Sequence, residues 1–185
     1  MLAVESALLV LVPEAEVVVK SFRDKYDPSA AHGCPAHVGL LYPFKLPDEI
    51  TQTDFDNLSR CFALFKPFQF SLAVTRRFPG VLYFAPEPDN PFRLLTFAIW
   101  DFYPETPPYG GKYPGIVPHL TVANQLADDQ LADDQLDRIA AELKEASEGK
   151  LPISAVASEV ALLDTKSGHW QVRATLKIGG DARTG

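Results

Sequence analysis

Several residue classes are scarce in this chain, and each scarcity removes a function. Only two cysteines and four histidines occur in 185 residues. Cys34 and Cys61 form no CxxC pair and join no Cys/His cluster at zinc spacing, which argues against a metal site built on them. Two unpaired thiols suit a reducing, cytoplasmic compartment. Long apolar runs are missing too: the longest uninterrupted one, Ala7 to Val12, is far too short to cross a bilayer. No basic segment precedes it, since Glu5 is the first charge, so it reads as a core strand and not a signal peptide. Basic residues are in deficit, 17 Lys and Arg against 24 Asp and Glu, for a net charge of −7. That balance argues against sequence-blind binding to duplex nucleic acid but leaves room for a local pocket holding one phosphate.

What is present is the material of a folded globule. The chain is 46% hydrophobic with twelve Phe and six Tyr, and a chain of this length buries about two-thirds of its unfolded surface. Residues 4–12 read as a buried strand, and Pro13 to about Tyr26 as an amphipathic helix with Val17, Val18 and Phe22 inward. Pro28, Gly33 and Pro35 make the next stretch a loop, followed by a strand at 36–41. Thr53 or Asp54 caps a helix reaching about Phe65. Residues 68–74 and 80–85 read as a hairpin turning at Pro79-Gly80. A helix follows from Phe92 to Phe102, then a strand at 118–123, and a long helix over about 127–147. The pairs Asp128-Asp129 and Asp133-Asp134 give that helix a solvated acidic face. A final hairpin joins 151–163 to 170–178 across Lys166-Ser167-Gly168, and the tail from about 179 to 185 is expected to fray.

The two halves share an order: strand with a histidine, helix, hairpin. His37 stands 30 residues before Pro67, and His119 stands 33 before Pro152. Alternation along a strand puts His37 and Gly39 on one face with Val38 and Leu40 behind, and His119 and Thr121 on one face with Leu120 and Val122 behind. In a duplicated fold the two strands meet at the pseudo-axis, so both imidazoles face one cleft. Such a pair suits phosphodiester chemistry without metal. A neutral ring takes a proton from the attacking water or hydroxyl, an imidazolium opposite protonates the leaving oxygen, and both forms are accessible near neutral pH. The Thr121 hydroxyl and nearby backbone N–H groups would stabilise the charge on non-bridging oxygens.

PAHVGLLYPF (35–44) and VPHLTVA (117–123) resemble the two motifs of the two-histidine phosphoesterase superfamily, known by the labels 2′-5′ RNA ligase and cyclic phosphodiesterase. The likeness continues through RFPGVLYFAPEP (77–88) and TPPYGGKYP (106–114) and covers nearly the whole chain. It implies one α+β domain over residues 1–185, bilobal and internally duplicated, with two mainly antiparallel sheets flanking a central cleft and helices outside. It also implies His37 and His119 as catalytic acid and base and Thr121 as a phosphate ligand, without cofactor. One position departs from the pattern: the family's first Ser or Thr is Gly39 here. The missing hydroxyl would slow the reaction about 10- to 100-fold unless water substitutes. Alternatively, the glycine widens the cleft, or marks drift toward binding without turnover.

The remaining candidates surround the motifs. Pro104–Pro118 holds five Pro and three Gly and leads directly into His119, so Lys112 is placed to meet a phosphate and Tyr109 or Tyr113 to stack on a base. Tyr42, in the tail of the first motif, is a further expected contact. Arg76 and Arg77 are adjacent on a strand, so only one faces inward, and Arg77 is the expected substrate residue. His32, His169 and Trp170 read as structural. The expected protein is a monomeric, metal-independent phosphoesterase acting on a 2′,3′-cyclic phosphate or 2′-5′ linkage of a small nucleotide or RNA end. Two alternatives stay open: ATP-independent 2′-5′ ligation, which is the same chemistry reversed, and a nucleotide- or RNA-end-binding module without turnover.

Overall fold

The computed structural model describes residues 3–124 and 133–179, and these residues hold eight strands and five α-helices. The strands β1 (Ser6–Leu11), β2 (His37–Leu41), β7 (Glu159–Asp164) and β8 (Gln171–Lys177) form one sheet in the order β2-β1-β7-β8. A second sheet takes β3 (Phe68–Phe78), β4 (Val81–Glu87), β5 (Leu120–Asn124) and β6 (Ile153–Ala157) in the order β5-β4-β3-β6. All of the paired strands are antiparallel. The helices are α1 (Glu16–Tyr26), α2 (Pro28–Ala31), α3 (Gln52–Phe62), α4 (Asn90–Phe102) and α5 (Asp133–Ala146). Residues 125–132 and 180–185 lie outside the described residues, and with them the start of the expected last helix, Asp128-Asp129 and most of the expected frayed tail.

The expected repeat is present, but the halves are interleaved. β2 and β5 are the edge strands of their sheets and approach within 8 Å, Cα to Cα, without sharing a ladder. The helices cross over between halves: α1 packs against β5, and α4 against β2. One continuous core therefore runs through both sheets, from Leu8, Val10, Val38 and Leu40 to Phe84, Leu120 and Val122, with Phe22, Phe62, Phe92 and Ile99 from the helices. Burying about thirty large apolar side chains at about 1.5–3 kcal/mol each is what fixes the two edge strands side by side.

Four sequence expectations are corrected. Val17 points to solvent at 72% exposure, and Val19 takes its place in the core beside Val18 and Phe22. The cap of α3 is Thr51, whose N–H donates to Asp54 Oδ2 at 2.8 Å, so Asp54 is the third residue of a capping box rather than the cap. The loop after α1 contains the short helix α2, started by Asp27 accepting from the Ser29 N–H. The stretch 151–163 is two strands. β6 pairs with β3 and β7 with β1 and β8, so the chain changes sheets at Ser158. Both pieces have strand-like composition, and a one-residue break between two apolar strands leaves no signal in periodicity.

Candidate functional site

β2 buries Val38 and Leu40 and leaves His37 and Gly39 half-exposed; β5 buries Leu120 and Val122 and leaves Thr121 half-exposed, as is His119 immediately before the strand. The strand pleat thus turns both histidines away from the core, at the junction where β2 and β5 come together.

The two rings are pinned in the same way. His37 Nδ1 lies 2.7 Å from the Pro35 carbonyl oxygen, and His119 Nδ1 lies 2.7 Å from the Val117 carbonyl oxygen, two residues upstream in each case. A carbonyl only accepts, so each Nδ1 carries the proton and each Nε2 is left to act. Neither Nε2, nor the Thr121 hydroxyl, has a hydrogen-bond partner among the described residues.

Around these matched pins the surroundings differ. Behind His37 sits a buried ion pair, with Arg23 Nη2 3.1 Å from Asp27 Oδ2 and both side chains under 5% exposed. Arg23 also donates to the Cys34 carbonyl at 3.1 Å, and the Cys34 Sγ lies 3.5 Å from His37 Nδ1. Desolvation, then the Arg23 charge, push His37 down to about 4; the Pro35 carbonyl and Asp27 oppose this, and His119 adds a further lowering. Burial raises the Cys34 thiol to about 12, so it stays protonated. His119 instead stands in an aromatic box: Phe78 edge-on at 5.3 Å, Tyr83 at 5.4 Å and Tyr109 stacked at 6.3 Å and 23°. Burial lowers its pKa as well, partly offset by the Val117 carbonyl. Both rings are therefore neutral at neutral pH.

Tyr109 joins the two sides. Its N–H donates to the Tyr42 carbonyl at 2.7 Å, at the end of β2, while its ring lies over His119. The far end of the loop is held to α4 by the Arg93 guanidinium on the Ile116 carbonyl. Tyr113 is exposed and edge-on to Tyr109 at 5.8 Å; Lys112 is exposed beside it. The Tyr42 hydroxyl donates to Glu5 Oε2 at 2.8 Å, and its ring meets Trp170 edge-on at the rim. Arg77 turns to the helical layer, donating to Asp137 Oδ1 at 2.7 Å and to the Leu136 carbonyl. Its neighbour Arg76 pairs across the ladder with Tyr83, which pairs with Thr121, so Arg76 is the one on the histidine face. The structure therefore brings His37, Gly39, Tyr109, His119 and Thr121 together and sends Arg77 elsewhere.

Phe78, Tyr83 and the Arg23–Asp27 pair went unassigned in the sequence, although each left a trace there. Counting by twos outward from the Pro79-Gly80 turn puts Arg76, Phe78, Val81 and Tyr83 on one face. Arg23 interrupts an apolar helical stripe, with Asp27 four residues on to pair it. Among the described residues, no three His, Cys, Asp or Glu side chains gather into a ligating group, and no helix is long and apolar enough to cross a membrane.

Two antiparallel four-stranded sheets with a pinned histidine on each facing edge define a class, and comparison with known proteins gives the family. A sequence model described as the 2′-5′ RNA ligase superfamily matches residues 11–169, and the chain belongs to that superfamily. A candidate phosphoesterase of Bacillus pumilus is 31% identical over 132 residues, covering 66% of this chain and 71% of its own length. A similarly named protein of Bacillus licheniformis is 28% identical over 127 residues, covering 66% and 72%. In fold, the chain is similar to E. coli LigT solved with 3′-AMP (TM-score 0.56, 12% identity, 95% and 98% of the two chains). It is also similar to TT0787 of Thermus thermophilus (TM-score 0.57, 18% identity, 96% and 99%).

Proposed function

We propose that this protein is a metal-independent phosphoesterase that opens a 2′,3′-cyclic phosphate, or cleaves a 2′-5′ phosphodiester, at a nucleotide or RNA end. The observation that carries the reading is the matched pair of imidazoles, each with Nδ1 held by a carbonyl 2.7 Å away and Nε2 without a partner among the described residues. The nucleotide in the LigT complex, and the phosphoesterase label on the Bacillus relatives, support the substrate class.

A cleft that keeps both rings neutral becomes chemically useful when an anion enters. A phosphate's negative charge favours imidazolium, while repulsion between two imidazoliums limits the pair to one proton. Arg23 disfavours the proton on His37, so His119 carries it. His37 Nε2 then takes a proton from water, the water oxygen bonds to phosphorus, and the bond from phosphorus to one ribose oxygen breaks. His119 Nε2 gives its proton to that oxygen, and one water has been added overall. Thr121 donates to a non-bridging oxygen as charge builds there. Arg76 and Lys112, both exposed cations, suit further phosphates of an RNA end, and Tyr113 offers a face for a base.

Incubation with 2′,3′-cyclic nucleotides in excess EDTA tests this. Turnover that persists with chelator is expected; binding of a nucleoside monophosphate without turnover would reduce the protein to a binding module. Running the reaction backwards on RNA ends tests the ligase direction, which uses the same two proton transfers.

A further inference from the structure

The two pinned histidines share a backbone geometry, but the residue two places after each differs. Thr121 follows His119 by two residues and adds a hydroxyl to its face; Gly39 follows His37 by two and adds none. A Cβ built on Gly39 would stand 4.0 Å from the hydroxyl of Tyr109 and 4.0 Å from Leu9 Cδ2. Close to where a serine or threonine hydroxyl would reach, a different hydroxyl is already present. It comes from the other half of the molecule.

We propose that the Tyr109 hydroxyl is the phosphate ligand of the first half-site, taking the place that Gly39 leaves open; this rests on the phosphoesterase reading above. Three features besides proximity support it. The hydroxyl has no hydrogen-bond partner among the described residues, although the ring is half-buried against His119. Burial and the neighbouring Tyr113 raise its pKa to about 12, so it remains a donor at any working pH. The backbone at Tyr109 is left-handed (φ 54°, ψ 30°), the one non-glycine residue with positive φ among the described residues. A bulky side chain adopts that conformation only where its surroundings impose it. Here the imposition is visible: Tyr109 N–H on the Tyr42 carbonyl at 2.7 Å, followed by Gly110 N–H on the Pro107 carbonyl at 2.9 Å. The loop thus bends unfavourably at the residue whose ring it delivers between β2 and His119. The glycine and the tyrosine form one device, in which an extended donor from a loop replaces a short donor from the strand. A loop-borne donor also ties phosphate binding to the seating of the 104–118 loop.

The test is a rescue. Tyr109→Phe keeps the ring and its stacking and removes only the donor; kcat/KM for 2′,3′-cyclic nucleotides should fall about 10- to 100-fold at unchanged melting temperature, the loss expected for one charge-assisted hydrogen bond. Gly39→Ser puts a hydroxyl back on the strand. In the Tyr109→Phe background it should restore activity by about tenfold or more, and in the wild-type background it should gain far less, because the place is filled. Affinity for inorganic phosphate, measured alongside, should follow the same order. Wild-type kcat/KM and phosphate affinity in Tyr109→Phe would overturn the proposal. So would a defect that Gly39→Ser leaves unrepaired, since the hydroxyl would then serve the loop and not the phosphate. If the wild type binds phosphate but turns over no cyclic nucleotide, the phosphoesterase reading fails, while a weakened phosphate affinity in Tyr109→Phe alone still supports the Tyr109 assignment.

Discussion

His37 and His119 have the same backbone pin and opposite neighbourhoods. One ring leans on a buried ion pair and a thiol, the other on three aromatic rings. Duplication accounts for the shared part, because a strand that presents a histidine beside a bent upstream carbonyl supplies the pinned tautomer in both halves. On the proposed acid–base reading, the contrast is how a symmetric scaffold would do asymmetric work. Acid and base must hold different protonation states at the same pH, and a fixed cation on one side only is a simple way to separate them.

The most demanding test of this division of labour removes each ring in turn. His37→Asn and His119→Asn should each lower cyclic-phosphate hydrolysis about 10²- to 10⁴-fold, with different effects on the pH profile. In the wild type, kcat/KM should rise as pH climbs through about 4, where His37 loses its proton, and fall as His119 loses its own below 6.5. The residual activity of His37→Asn should lack the acid limb, and that of His119→Asn the alkaline one. A profile flat from pH 4 to 8 in the wild type would remove the acid–base assignment.

The ion pair is the next lever. Arg23→Met leaves the Asp27 carboxylate buried at 4% exposure with its cation gone, which should cost about 3–5 kcal/mol by urea unfolding. Arg23→Met with Asp27→Leu removes both charges and should recover most of that. The double variant should also raise the acid limb of the pH profile, because the cation beside His37 is gone. An unshifted limb would mean that Arg23 is structural alone. Thr121→Val is smaller: losing one donor to phosphate should reduce kcat/KM about 10- to 100-fold while KM for the nucleoside portion and the melting temperature hold steady.

Much of this site could be read from the sequence because alternation is local. His37 and Gly39, and His119 and Thr121, turn away from the core for the same reason that Val38 and Leu120 turn into it, and a short strand carries that information in itself. What escaped was set by packing between distant segments. Arg76 and Arg77 are equivalent in a one-dimensional reading, and the choice between them is made by α5, whose Asp137 lies 60 residues away and takes Arg77. The split of 151–163 into strands of different sheets has the same origin, since each piece pairs with a strand far away in sequence. The role of Gly39 was the hardest to see. A glycine in a strand reads as something missing until the loop residue that reaches toward it is located in three dimensions.

The smallest effect concerns stability and follows from the same asymmetry. His37 titrates near 4 in the folded protein and near 6.5 when unfolded, so between those values the unfolded chain holds the proton that the folded chain refuses. The contribution of a neutral His37 is therefore complete above about pH 6.5 and is lost as pH falls toward 4. His119 shifts in the same direction, but Arg23 is not among the charges acting on it. Replacing His37 with Asn should flatten the fall in stability between pH 6.5 and 4.5 by on the order of 1 kcal/mol, allowing for the screening that a half-exposed ring feels. Replacing His119 should flatten it less. Carboxylates titrate in the lower part of that window in all three proteins, so the measured quantity is the difference between unfolding curves and not any one curve. Equal flattening by the two variants would mean that the buried cation does not distinguish the rings, and the division of labour between the halves would need another cause.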